Sequence, residues 1–291
     1  MYIATQKEKK IGMLALTVLT IALLTTTLFS GCTTSQTNEG LPIVIIGRDS
    51  TSGTREFFFE HVMNKENFSS NLQEKNSNGG VYQAVTQTPG AVGYVGLGYV
   101  DSGVKAIPID GIAPTVANIL AGTYPISREL YMFTKGQATG IAKEFIEYIQ
   151  STEGQAIVEQ EGFVPLAGTK PYNSTGKTLI GDLQLGGSTT VFPIAEQAKD
   201  SFMAIYPDVT VTVSSTGSGA GITAVSQGTV DIGMASRDLQ ASESNLGLVK
   251  HVVAKDGIAV IVNPTNTYVT GLTLAQVKSI YKGEITNWMD V

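Results

Sequence analysis

Arginine, glycine and hydroxyl-bearing residues recur in this sequence where strand-like runs give way to helical patterns, and such clusters suit an anion. Three segments share the design: Arg48-Asp49-Ser50-Thr51-Ser52-Gly53-Thr54, Gly186-Gly187-Ser188-Thr189-Thr190, and Ser214-Ser215-Thr216-Gly217-Ser218-Gly219-Ala220-Gly221. The first N–H groups of a helix lack intrahelical partners and carry the positive end of its dipole, so several helix starts can surround an oxyanion with donors. Glycine lets the backbone approach closely, and Ser and Thr add short donors. One such loop is equally an ordinary helix cap; three in one chain point to a tetrahedral oxyanion. Arg48 adds a planar fork suited to bidentate contact. A fourth segment, Asp231-Ile232-Gly233-Met234-Ala235-Ser236-Arg237-Asp238, ends a strand with another hydroxyl, another arginine and a carboxylate.

Asp49 and Asp238 are candidates for discrimination between anions. Monohydrogen phosphate still has a proton to donate and sulfate has none, so an ionised carboxylate in the site would favour phosphate and repel sulfate. The alternative for each is a solvated or salt-bridged surface carboxylate. Catalysis is poorly served: no Gly-x-Ser-x-Gly elbow is followed by an assembled His and Asp, and no glycine-rich loop ends in Gly-Lys-Ser or Gly-Lys-Thr. His61 and His251 are far apart in sequence and Cys32 is the single cysteine, so no disulfide framework, metal centre or cofactor is expected. With 19 basic and 25 acidic residues the formal charge is -6, and no basic stretch is interleaved with aromatics. Nucleic acid is excluded as a partner on that ground, whereas an anionic ligand is not, because local donors decide anion binding.

The elements that must position these loops follow from the apolar pattern. Of the 291 residues, 42% are hydrophobic, enough for two lobes. From Pro42 onward, short apolar runs alternate with amphipathic helical patterns, which predicts an α/β chain with mostly parallel sheets. Strands are expected over 43–46, 91–99 (strand and turn), 129–134, 183–185, 209–213, 231–234 and 257–262. Helices are expected over 54–64, 79–87, 115–121, 141–160, 193–205, 219–227 and 273–281, the last with Thr273 near its N-cap. The stretch 168–181, rich in Gly, Thr, Ser and Pro, reads as a surface loop or linker.

The N-terminus reads as an address. Lys7, Lys9 and Lys10 precede an uncharged apolar run over 11–29, and Ser30-Gly31-Cys32 follows, the layout of an export signal. Small residues before a lone cysteine resemble the lipobox of secreted lipoproteins, in which Cys32 would be lipidated. Phe29 is bulky for its place in that motif. The alternative is an uncleaved membrane anchor. Residues 33–40 then form a polar tether.

Taken together, these motifs, with Gly187-Ser188-Thr189-Thr190-Val191-Phe192-Pro193 and Pro89-Gly90-Ala91-Val92-Gly93-Tyr94-Val95, resemble the phosphate-binding proteins of Pst-type ABC transporters, over nearly all of residues 42–291. The order of segments differs from the family's usual one. The part like residues 183–291 ordinarily comes first and the part like 41–166 second, and Ile285-Thr286-Asn287-Trp288 resembles the stretch that ordinarily leads into the strand at 42–46. The chain therefore looks circularly permuted, joined at 168–181; the rival is a product of a junction between tandem genes.

The resemblance implies a two-lobe, hinged periplasmic-binding-protein type II fold with the ligand in the interlobe cleft. One lobe would run over 124–255 and the other over 41–123 and 256–291. Carried over by position, Arg48, Ser52, Gly53, Thr54, Thr189, Thr190 and Ser218 would contact phosphate, with Ser188, Ser236, Arg237 and Asp238 beside them and the family's acidic position falling at either Arg237 or Asp238. The implied partners are inorganic phosphate, an ABC permease and a membrane reached through a lipid or the N-terminal anchor. Alternatives are sulfate, molybdate or tungstate as ligand, or an adhesion or signalling module that has lost the site.

Overall fold

The computed structural model describes residues 40–291. The expected export signal, Cys32 and residues 33–39 of the tether lie outside the described residues.

In chain order the elements are β1 (Val44–Arg48), α1 (Gly53–His61), β2 (Gln73–Lys75), α2 (Asn78–Gln87), β3 (Ala91–Gly96), β4 (Lys105–Ala106), α3 (Val116–Leu120), β5 (Ser127–Lys135), α4 (Gly140–Ile149), α5 (Thr152–Gln160), β6 (Gly181–Gly187), α6 (Phe192–Ile205), β7 (Val209–Ser215), α7 (Ser218–Gln227), β8 (Ile232–Ala235), β9 (Leu248–Val262) and α8 (Leu274–Lys282). The expected helix over 141–160 is two helices. Ser151 ends the first and N-caps the second, its hydroxyl donating to the Tyr148 carbonyl and accepting from the Gly154 N–H. The expected strand over 257–262 is only the C-terminal part of β9, which runs for 15 residues. Thr273 caps α8 through a reciprocal capping box with Gln276.

The strands form one nine-stranded sheet in the order β2-β1-β3-β9-β5-β8-β6-β7, with β4 also on β9. It is mixed rather than mostly parallel: β1 pairs parallel with β2 and β3, β6 with β7 and β8, while β9 and β5 pair antiparallel with their neighbours. Each half repeats one plan, a parallel trio (β2-β1-β3 or β7-β6-β8) closed by an antiparallel strand. β9 belongs to both halves. Its residues up to Gly257 pair with β5, and from Ile258 onward they pair with β3.

Side-chain alternation along these strands splits the apolar residues between the two sheet faces. In β9, Ile258, Val260 and Val262 join Phe58, Tyr94, Tyr281 and Trp288 in one core, whereas Ala259 and Ile261 pack with Val81 and Val85 on the opposite face. In β5, Leu130 and Met132 enter a core with Phe145, Leu185 and Phe202, while Tyr131 and Phe133 meet Ile222 and Val225. The beginning and end of the described chain lie side by side: Ile43 N–H donates to the Thr286 carbonyl at 2.8 Å and Trp288 N–H to the Leu41 carbonyl at 2.9 Å. The linker 168–181 has no regular structure before β6 begins, yet it is fastened. The Tyr172 hydroxyl donates to Glu144 at 2.8 Å and meets the Tyr206 hydroxyl at 2.9 Å, and the Lys177 ammonium caps the same carboxylate.

Candidate functional site

The C-terminal ends of β1, β6, β7 and β8 carry the four hydroxyl loops, the position at which α/β sheets present ligand crevices. Ser52 is the N-cap of α1, accepting from the Arg55 N–H, and Gly53 and Thr54 form that helix's first turn. Ser188 folds its own loop, its Oγ accepting from the N–H groups of Thr190 and Val191, and so delivers Thr189 and Thr190 to the start of α6. Ser218 opens α7 after Gly217, whose φ of +97° is one that side chains disfavour.

These loops meet. Thr54 Oγ1 lies 3.1 Å from Thr190 Oγ1, and Ser218 Oγ lies 3.2 Å from Ser236 Oγ while accepting from the Ser236 N–H at 3.0 Å. The Gly219 N–H donates to the Thr51 carbonyl at 3.1 Å. A Cβ on Gly53 would stand 2.4 Å from Ser218 Oγ and 2.8 Å from Ser236 Oγ, so only glycine permits this approach. Ser52, Thr54, Ser188, Thr189, Thr190, Ser218 and Ser236 are all buried.

Arg48 is buried too, at 1% exposure. Its Nε donates to the Lys75 carbonyl and its Nη2 to the Asn76 carbonyl, both at 3.1 Å, which fixes the fork so that Nη1 reaches Thr189 Oγ1 at 3.1 Å. β2, absent from the expected elements, thus has a role as the support of this arginine. Burial pushes the guanidinium below its ordinary value, with Asp49 opposing; arginine nonetheless stays charged in proteins.

Four polar residues in or beside the cluster were not anticipated from the sequence. Asn78, the first residue of α2, donates through Nδ2 to Thr189 Oγ1 at 3.1 Å and to Thr190 Oγ1 at 2.9 Å. Its start Ser77-Asn78-Gly79-Gly80 repeats the composition of the other loops, so a signal existed. Arg128 and Asp256 lie opposite one another on β5 and β9 and form an ion pair at 2.8 Å, with side chains 2% and 0% exposed. Nothing local in sequence marks them, since each sits within a strand. Burial pushes the Asp256 carboxyl up, with Arg128 and the Leu97 N–H pulling it back. Tyr99 adds a hydroxyl bond to the Thr189 carbonyl at 2.6 Å.

The two carboxylates expected in the site are elsewhere. Asp238 is exposed and paired with Lys250 at 2.6 Å, its other oxygen accepting from the Leu239 N–H. Asp49 lies at the rim, where Oδ1 accepts from the N–H and hydroxyl of Thr51 and Oδ2 is 4.0 Å from Arg48 Nη2. Sequence adjacency to Arg48 and Arg237 did not bring either into the hydroxyl cluster. Arg237 is engaged by Glu243, its Nη1 and Nη2 donating to the two carboxylate oxygens at 2.6 and 2.8 Å. It lines a cavity of about 760 Å³ that Arg128 also borders, so Arg128 stands between that cavity and the buried hydroxyls. No group of His, Cys, Asp and Glu able to hold a metal occurs among the described residues.

Charge and donors agree. In the buried cluster, Arg48 and Arg128 against Asp256 leave one net positive charge, inside a protein whose formal charge is -6. Guanidinium, amide and hydroxyl donors gathered at helix starts form a receptacle for a small tetrahedral oxyanion.

Comparison with known proteins agrees with that architecture. The family described as PBP superfamily domain matches residues 8–153 and 173–291. A protein named Phosphate-binding protein PstS 2 from Streptococcus agalactiae serotype V is 37% identical over 298 residues, covering 98% of this chain and 99% of its own. The crystal structure of a phosphate ABC transporter phosphate-binding protein from Streptococcus pneumoniae superposes with a TM-score of 0.69 at 33% identity, covering 86% of this chain and 99% of that one. The match to Phosphate-binding protein PstS of Bacillus subtilis, also 37% identical, spans 130 residues, 44% of this chain and 43% of that protein. On the strength of the full-length match, the family-wide match and the shared fold, the chain belongs to the PstS-like family of phosphate-binding proteins within the PBP superfamily.

Proposed function

We propose that this protein captures inorganic phosphate on the outer side of the cytoplasmic membrane and presents it to an ABC uptake permease, making and breaking no covalent bond. The observation that carries this reading is the convergence of hydroxyls at the starts of α1, α6 and α7 with Arg48, all buried and drawn from both halves of the sheet. Arg48, Ser52, Gly53, Thr54, Thr189, Thr190, Ser218 and Ser236 are the proposed ligand contacts, with Asn78 beside them. Ser188 acts by shaping its loop.

The proposed lobes are 124–255 on one side and 41–123 with 256–291 on the other, closing on the anion by rotation about the strands they share. Coverage of both halves by the S. agalactiae protein, the single continuous sheet and the paired ends of the described chain support an intact fold over a gene-junction product. Attachment through Cys32 or the apolar run before it is the proposed route to the membrane. Among the described residues no helix is long and apolar enough to cross one.

A second reading has one observation in its favour. Phosphate selectivity by a free carboxylate was expected of Asp49 or Asp238, and neither reaches the hydroxyl cluster; the buried Asp256 already spends both oxygens on Arg128 and the Leu97 N–H. Sulfate, molybdate or tungstate would then meet no unpaired buried carboxylate. Hydroxyl groups can accept the phosphate proton instead. Calorimetry on the body from Thr33 onward decides. Tight one-to-one phosphate binding, sulfate silent and Arg48→Ala impaired by at least about a hundredfold, is the expected outcome. Heat from sulfate or molybdate and none from phosphate would establish the second reading.

A further inference from the structure

We propose that Arg128 is a second anion-gripping guanidinium of this site and that Asp256 is the residue that positions it. The inference rests on the oxyanion reading above and adds the residues that complete its charge. Arg128 is the second residue of β5 and pairs in register with Asp256, at the point where β9 leaves β5 for β3.

Its guanidinium has two sides with two tasks. Nε and Nη2 donate to Asp256 Oδ2 at 3.0 and 2.8 Å. Facing the other way, Nη2 lies 3.0 Å from Thr54 Oγ1 and 3.4 Å from Thr190 Oγ1, and Nη1 donates to the Ser236 carbonyl at 2.9 Å. Those three residues belong to three different loops of the hydroxyl cluster. An oxyanion held by Thr54 and Thr190 therefore lies within reach of the same fork, which an arginine presents as a rigid plane.

Asp256 cannot be replaced in this role by a neutral group of the same shape. Its Oδ1 accepts from the Leu97 N–H at 2.9 Å, which anchors the carboxylate to the end of β3, and Oδ2 is saturated by the arginine. The two bonds from Arg128 and those from the Leu97 and Gly257 N–H groups commit the carboxylate to these partners rather than to a proton of the ligand. Its effect on the anion passes through Arg128 alone: it sets the angle of the fork and compensates a charge that would otherwise be buried unpaired.

That distinction yields the test, made on the full chain in detergent with inorganic phosphate, affinities measured by calorimetry and folding by melting without ligand. Asp256→Asn and Arg128→Met are each expected to weaken phosphate binding by at least about tenfold. The double variant is expected to bind no more weakly than Arg128→Met alone, because Asp256 acts only through the arginine. A merely structural carboxylate would instead give losses that multiply, and that result overturns the proposal, as does an Asp256→Asn protein with wild-type affinity. Should Asp256→Asn fail to fold, Arg128→Lys decides: it keeps the charge and its acidic partner but lacks the fork. A loss of about tenfold supports the proposal and unchanged affinity overturns it. A wild-type chain giving no heat with phosphate would instead overturn the parent reading, and this inference with it, before any substitution is made.

Discussion

Gly53 shows how much the site depends on single atoms. Its missing Cβ leaves room for Ser218 Oγ and Ser236 Oγ from the opposite loops. Gly53→Ala is expected to force those loops apart, losing one or more hydrogen bonds to ligand at about 0.5–1.5 kcal/mol each, and so to weaken phosphate binding by about tenfold or more in a titration while the protein still melts cooperatively. The glycine and hydroxyl loops were legible in sequence because their composition is local and unusual. Arg128 and Asp256 were not, because a polar residue inside a strand declares itself only when strand pairing decides which face it occupies. Asp49 and Asp238 show the converse. Both follow an arginine directly in sequence, and both turn to partners at the rim or in solvent.

Elements were legible where apolar periodicity and caps coincide, as in α8 with Thr273, and obscure where one of the two is missing. Apolar spacing runs through residues 141–160 without interruption, and only the bonding of Ser151 separates α4 from α5. The N-terminal part of β9 carries Lys250, His251, Lys255 and Asp256, which hide a strand that pairing with β5 makes obligatory. The linker 168–181 was read correctly as irregular, but its attachment was not visible in composition. Burial pushes the Glu144 carboxyl up, yet bonds from Lys177 and Tyr172 more than offset this and hold it below its ordinary value of 4.5. A depressed carboxyl stabilises the fold above its unfolded value and loses that contribution as pH falls through the folded one. Glu144→Gln is therefore expected to cost about 1.5–3 kcal/mol at neutral pH. In urea melts the gap to wild type should narrow as pH drops below 4.5; a gap constant with pH would mean the linker is held by Tyr206 instead.

At the scale of the whole molecule, the α/β class and the PstS-like family could be read from the motifs, and the expected reversal of segments would be accommodated by the paired ends. Trp288 is 1% exposed, donates through Nε1 to the Gly90 carbonyl at 2.9 Å and shares a core with Tyr94 and Tyr281. Trp288→Ala is expected to destabilise the body by about 3–5 kcal/mol in chemical denaturation, through the cavity it leaves. What the motifs did not disclose is that the halves share a continuous sheet. β9 is hydrogen-bonded to β5 along one part of its length and to β3 along the next, with the exchange of partners between Gly257 and Ile258. A strand clamped in this way behaves as an axle. Sliding one half past the other would break ladder bonds on both sides, whereas twisting about the exchange point strains only the few bonds beside it, so torsion is the relative motion expected of the two halves.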